Sequence, residues 1–196
     1  MHIKRIKKLD IDSQALQNSS IPITRVRKLI NSTTEALFLS LFTEYEFFME
    51  NIFVLSVLEK QLLSGRKPRS YLSANSHAHA LDLIIAGATF GNWTNPTRLI
   101  DTSERVLKDG FPIKNLIINS RDTLFQQYRI RNRIAHKSAS AERQFRQIAR
   151  ERLSTIPVNL DTVGGFLNSM PRRDNRRIFQ VYLSDLEKLP NALNCL

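Results

Sequence analysis

The stretch from Ser32 to Leu63, STTEALFLSLFTEYEFFMENIFVLSVLEKQLL, decides the fold. It holds neither Pro nor Gly, and Leu, Phe and Glu dominate it, so nothing in it interrupts a helical ladder. Ser32-Thr33-Thr34-Glu35 has the Ser-x-x-Glu form of a capping box, in which the hydroxyl and the carboxylate satisfy orphan N–H groups at a helix start. Gly65 and Pro68 supply a stop. One long helix over 32–63 is therefore predicted, and a helix of that length in a short chain implies an all-α bundle built around it.

Working outward, the remaining segments also read as helices separated by local breakers. A second helix is expected from Ser76 to Phe90. Asn92-Trp93-Thr94-Asn95-Pro96 forms a turn, and Pro96 opens a third helix reaching Lys108. Asp109-Gly110-Phe111-Pro112 breaks it. Ile113 to His136 follows, split near Asn119-Ser120, with Ser120 capping a new helix over Arg121–His136. Further helices are expected over Ser138–Leu153 and Asn175–Leu189, with Leu160–Met170 a loop or short helix. The domain reading is a basic N-terminal extension over 1–31, a helical bundle over 32–155, and a C-terminal loop and helix over 156–196 packed on the bundle. There is no internal repeat and no low-complexity tract.

The 196 residues carry a net charge of +11, which favours polyanionic partners such as nucleic acid. That charge sits at the two ends. Residues 1–28 hold seven Lys/Arg against two acids, residues 121–196 hold fourteen against seven, and residues 29–120 hold eight against nine. The single cysteine, Cys195, allows no intrachain disulfide and no Cys-based zinc site. With no signal-peptide pattern and no membrane-length apolar run, a cytoplasmic protein without membrane attachment is expected.

On a helical wheel, at about 100° per residue, Leu124, Tyr128, Ile130, Ile134 and Ala135 form an apolar arc over the segment 121–136. Arg131 falls inside that arc. Asn132 and His136 share a neighbouring face with Phe125 and Arg129, and Arg133 points to solvent. A core-facing Arg needs a partner, because an unpaired buried charge is strongly destabilising. Glu46 is the matching candidate, embedded among Leu39, Phe42, Met49 and Phe53 of the long helix. Such a pair can equally serve only to fix helix register, and a lone His at a helix end can simply complement the helix dipole.

Arg131-Asn132-Arg133-Ile134-Ala135-His136 resembles the signature of the HEPN superfamily, an Arg followed about a turn later by His. It is most similar to the Arg-Asn-x-x-Ala-His form of the RiboL-PSP-HEPN group. The resemblance spans roughly Thr34 to Leu153 and is strong only at the motif. It implies a helical bundle that dimerises and places two motifs in one cleft. It also implies a metal-independent endoribonuclease, of the kind found in toxin–antitoxin, phage-defence and RNA-processing systems. By that resemblance Arg131, Asn132 and His136 are catalytic, Glu46 and Arg129 support them, and no cofactor or metal is needed. RNA, a second copy of the chain, and an antitoxin or activator protein are the implied partners. Two departures stand out. Arg129 also lies at an allowed distance from His136 and competes with Arg131 as the phosphate ligand. Where one HEPN toxin group has a Tyr shortly after the His, this chain has Ser138, which puts that group's form of regulation in doubt.

Arg133, Lys137, Arg143, Arg146 and Arg150 form an expected RNA-backbone track, extended by Arg172-Arg173 and Arg176-Arg177; the plain alternative is a solvated helix face. His77-Ala78-His79 lacks metal-ligand spacing and reads as a helix start. Trp93 and the Phe-rich long helix read as core and dimer surface. Two other functions stay open: a non-catalytic HEPN module binding RNA, a nucleotide or a protein, and a helical adaptor in which Arg131 and His136 are structural.

Overall fold

The computed structural model describes residues 3–18, 22–85, 93–153, 162–171 and 174–195. Among these the protein is all-α, with helices α1 (Ile3–Ala15), α2 (Ile23–Val57), α3 (His77–Ile85), α4 (Pro96–Val106), α5 (Ile113–Asn119), α6 (Arg121–Ala135), α7 (Ala139–Leu153), α8 (Val163–Asn168) and α9 (Ile178–Asn194). No described residue lies in a strand; one isolated bridge joins Ser70 to Leu107. No described helix is long and apolar enough to cross a membrane. The chain divides into two compact units: Met1–Glu44 with Gln126–Asp185, and Tyr45–Phe125 with Leu186–Leu196.

The long helix exists, but its ends differ from the expectation. It begins at Ile23, where the Pro22 carbonyl accepts from the N–H groups of Arg25 (2.9 Å) and Val26 (3.1 Å). The apparent capping box is therefore mid-helix, and its side chains do other work. Thr34 Oγ1 donates to the Ile30 carbonyl at 2.9 Å and accepts from Asn168 Nδ2 at 3.0 Å. Glu35 Oε1 accepts the Gly164 N–H at 2.6 Å, so this carboxylate caps α8 instead of its own helix. At the far end, α2 stops before Gly65. Glu59 adopts φ 52°, and the Lys60 N–H closes back on the Leu55 carbonyl at 2.9 Å. A left-handed non-glycine residue costs about 1–2 kcal/mol. Here Glu59 gains partners in return: its side chain accepts the Ser70 N–H at 3.0 Å and meets Lys67 Nζ at 3.2 Å.

In the first unit, residues 3–15 form a helix where only a basic extension was expected. Its inner face is Ile3, Ile6, Asp10 and Ser13, so two of the four buried positions are polar and the apolar period is broken. Asp10 is paired with Arg177 through both guanidinium terminal nitrogens, Nη1 to Oδ1 being 2.9 Å. Helix α2 runs unbroken through residues 31 and 32, where the N-terminal extension was expected to end. Helix α8 lies directly on α2: a Cβ on Gly164 would stand 2.2 Å from the Asn31 carbonyl oxygen, so only glycine allows this approach. Rings complete the core, with Phe38 packed on Phe42 and edge-on to Tyr182, and Phe145 edge-on to Phe166.

In the second unit the local signals hold closely. Asn95 caps α4 through its side-chain oxygen and Pro96 is the first helical residue. Asp109 (φ 58°) and Gly110 (φ 67°) make the expected break. The split at Ser120 is present, between α5 and α6. Helix α3 begins at His77, and His79 Nδ1 lies 3.0 Å from Asn75 Oδ1, an ordinary helix-start contact. The expected end of that helix, through Phe90, lies outside the described residues. Trp93 is buried against Phe53, with ring centroids 5.3 Å apart.

Candidate functional site

The motif occupies the closing turn of α6, a helix with no Gly or Pro and with Asp122 near its start and Arg133 near its end, complementing the dipole. The helix formally ends at Ala135, yet the His136 N–H still donates to the Asn132 carbonyl at 2.8 Å. Helical geometry thus persists one residue further, which stacks Asn132 and His136 on one face. Asn132 is half-buried and His136 is exposed, as are Lys137 and Ser138. The Ser138 hydroxyl accepts from the Ala141 N–H at 3.2 Å and so caps α7. The connection from α6 to α7 is only residues 136–138, which holds His136 between two helix ends.

Arg131 is half-buried and not core-facing to the depth expected, and it has an interaction partner. The polar side chain that α6 buries completely is Gln127, one turn earlier; its Nε2 donates to the Tyr182 carbonyl at 3.3 Å. Of the predicted apolar arc, Leu124 and Ile130 are buried, Tyr128 and Ile134 half-buried, and Ala135 exposed. Glu46, on the part of α2 that belongs to the second unit, is half-buried and likewise has a partner. Arg129 is half-buried and holds no ion pair among the described residues.

The expected basic track is divided by carboxylates. Arg133 does not reach solvent freely: it is 26% exposed and its Nε lies 2.5 Å from Glu142 Oε2, an ion-pair contact without hydrogen-bond alignment. Arg146 Nε donates to the other oxygen of Glu142 at 2.6 Å. Arg143, Arg150 and Lys137 are exposed and hold no ion pair among the described residues. Arg152 is pinned, donating to Gln126 Oε1 at 2.9 Å over the Tyr182 ring. Arg172 and Arg173 lie outside the described residues. Arg176 is bound to Asp174 at 2.7 Å, and that guanidinium holds the Asp174 carboxyl below its usual range. Arg177 is structural: with Asp10 it forms a pair whose side chains are 12% and 4% exposed.

Sequence reasoning missed a polar cluster in the first unit. Asn168 donates to Asn31 Oδ1 (3.1 Å) and Thr34 Oγ1 (3.0 Å), and accepts from Gln14 Nε2 (3.1 Å) and Arg177 Nη1 (2.9 Å). Gln14, Asn31, Asn168 and Arg177 border a cleft of about 740 Å³. Nothing local announces it, since Gln14 and Asn168 stand 154 positions apart. Among the described residues no three His, Cys, Asp or Glu side chains converge in a way that would hold a metal. Comparison with protein-family models, curated proteins and solved structures found no match to this chain.

Proposed function

We propose that this chain is a metal-independent endoribonuclease of the HEPN type, acting as a toxin or phage-defence effector. The observation that carries the reading is the Arg131-Asn132…His136 set on the closing turn of α6, with His136 exposed and Asn132 stacked one turn beneath it.

Scission through the RNA's own 2′-OH needs a base for that hydroxyl and an acid for the departing 5′-oxygen. The 2′-oxygen forms a bond to phosphorus, the P–O5′ bond breaks, and one proton leaves the 2′-OH while another reaches O5′. Imidazole ordinarily changes charge between about pH 5 and 8, so it suits either transfer. A guanidinium fork from Arg131 or Arg129 meets the phosphate oxygens, whose charge grows in the transition state. Asn132 orients the imidazole or the phosphate.

One motif supplies one imidazole for two transfers, and a two-fold dimer supplies the second. A second copy also fits the exposed apolar side chains of α2: Phe47 is 66% exposed and Leu55, two turns on, lies on the same side. Exposed Lys137, Arg143 and Arg150 from each copy would meet the RNA backbone.

The test is purified protein with mixed RNA in EDTA. Wild type is expected to cut and to leave 2′,3′-cyclic phosphate ends. His136→Ala and Arg131→Ala are each expected to lose at least about a hundredfold in rate. Cleavage that requires added divalent metal, or that survives His136→Ala, refutes the assignment.

A further inference from the structure

The cleft bordered by α1, α2, α8 and the start of α9 is lined by five carboxamides, Gln14, Gln17, Asn31, Asn168 and Gln180. Its volume of about 740 Å³ suits a small molecule or a single nucleotide. Three large apolar side chains at its edge, Ile11, Ile23 and Met170, are exposed, although such groups usually find cover. No acidic side chain lines it among the described residues.

The deep amides are spent on one another and on Arg177, which makes them a rigid floor. Two amides at the mouth keep complementary capacity. Gln17 uses its N–H on Gln14 Oε1 (3.2 Å), which leaves its oxygen as an acceptor. Gln180 uses its oxygen on the Arg177 backbone N–H (3.1 Å), which leaves its amide N–H groups as donors. The free oxygen of Gln17 and the free N–H donors of Gln180, beside aliphatic walls, match a flat group with apolar faces and an amide-like edge. Arg27 lies at the mouth, and Arg25 and Lys28 beside it on α2 are exposed, so the group is carried on an anion.

We propose that this cleft takes a nucleobase carried on phosphate, with Gln17 and Gln180 reading its hydrogen-bonding edge, the aliphatic rim covering its faces and Arg27 meeting the phosphate. The base comes either from an unstacked nucleotide of an RNA strand or from a free mononucleotide. The strand source rests on the ribonuclease reading above; the free source does not.

The experiment uses the full chain carrying His136→Ala, so that probes stay intact. Binding of labelled homopolymeric RNAs is compared with an abasic strand of equal length, and unlabelled mononucleotides are added as competitors. A base-bearing strand is expected to bind about tenfold more tightly than the abasic one, with a preference among bases. Adding Gln17→Ala and Gln180→Ala together, or Met170→Asp alone, should remove both the gain and the preference. All three residues are exposed, and circular dichroism verifies the fold. Competition by a mononucleotide identifies the free source, and its absence identifies the strand. Equal binding of abasic and base-bearing strands, or full retention by the variants, overturns the proposal, as would a cleft that serves an apolar peptide instead. Wild-type cleavage is measured separately. A chain that cuts RNA without base preference at the cleft keeps the ribonuclease and loses the base site; a chain that binds bases yet cuts nothing does the reverse.

Discussion

Asp10→Ala probes how α1 is held in the first unit. Asp10 is the main anionic partner of Arg177, and the two side chains are 4% and 12% exposed. Removing the carboxylate leaves the guanidinium with Asn168 Oδ1, a neutral acceptor at 2.9 Å. Breaking one partner of a buried pair costs about 3–5 kcal/mol. The retained amide contact and the residual exposure of Arg177 place this case near the lower end, at about 3 kcal/mol. For a chain of this size each kcal/mol moves the melting point by about 2–4 °C, so a drop of roughly 6–12 °C is expected by far-UV circular dichroism. Replacing both members, as Asp10→Leu with Arg177→Met, removes the stranded charge and should recover most of that loss, since apolar substitutes for buried pairs are often neutral or better. An Asp10→Ala protein within about 0.5 kcal/mol of wild type, or a double variant worse than the single, would refute a sequestered pair.

Gly164→Ala should destabilise the first unit by about 1–3 kcal/mol in urea unfolding, because the new Cβ meets the Asn31 backbone, which cannot yield. Gly165→Ala is the control: its Cβ would stand 3.3 Å from Thr162 Oγ1 and 3.5 Å from Asn31 Nδ2, so it should cost less. Burial pushes the Tyr182 phenol up to about 12. Its folded value is raised, so its contribution is fully present below the ordinary value of about 10 and is lost as pH climbs from there through about 12. Tyr182→Phe should therefore flatten the alkaline fall in stability across that window, read from melting temperatures at stepped pH. Wild-type protein at micromolar concentration should sediment at about twice the chain mass, and Phe47→Glu with Leu55→Glu should yield monomers with reduced cleavage. A fully active wild-type monomer would remove the shared site. Mixing His136→Ala with Arg131→Ala protomers should restore part of the activity if the cleft is composite.

Where a signal acts over a few residues, the sequence was legible. Asn95 and Pro96 start α4, Asp109 and Gly110 end the stretch after it, and the break at Ser120 separates α5 from α6. The motif's place at a helix end follows from the same local reasoning; that the Ser138 hydroxyl caps α7 came from the structure. Both errors at the ends of α2 came from local signals too. Ser32-Thr33-Thr34-Glu35 matches a cap by composition, but Thr34 and Glu35 are claimed by α8. Gly65 is a plausible stop, but Glu59 takes the left-handed position first because Ser70 and Lys67 bind its carboxylate.

By itself, then, the sequence determined an all-α chain, the local breaks between its middle helices and the position of Arg131, Asn132 and His136 on the closing turn of α6. Tertiary structure alone decided that residues 3–15 are a packed helix, that Arg177 and Arg133 are bound to carboxylates, and that five carboxamides converge on one cleft. The physical reason is separation along the chain. A cap or a turn is settled by neighbours within a few residues, whereas the fate of a charge or an amide depends on what packs against it. For Asp10 that partner is 167 residues away, and for Glu35 it is 129.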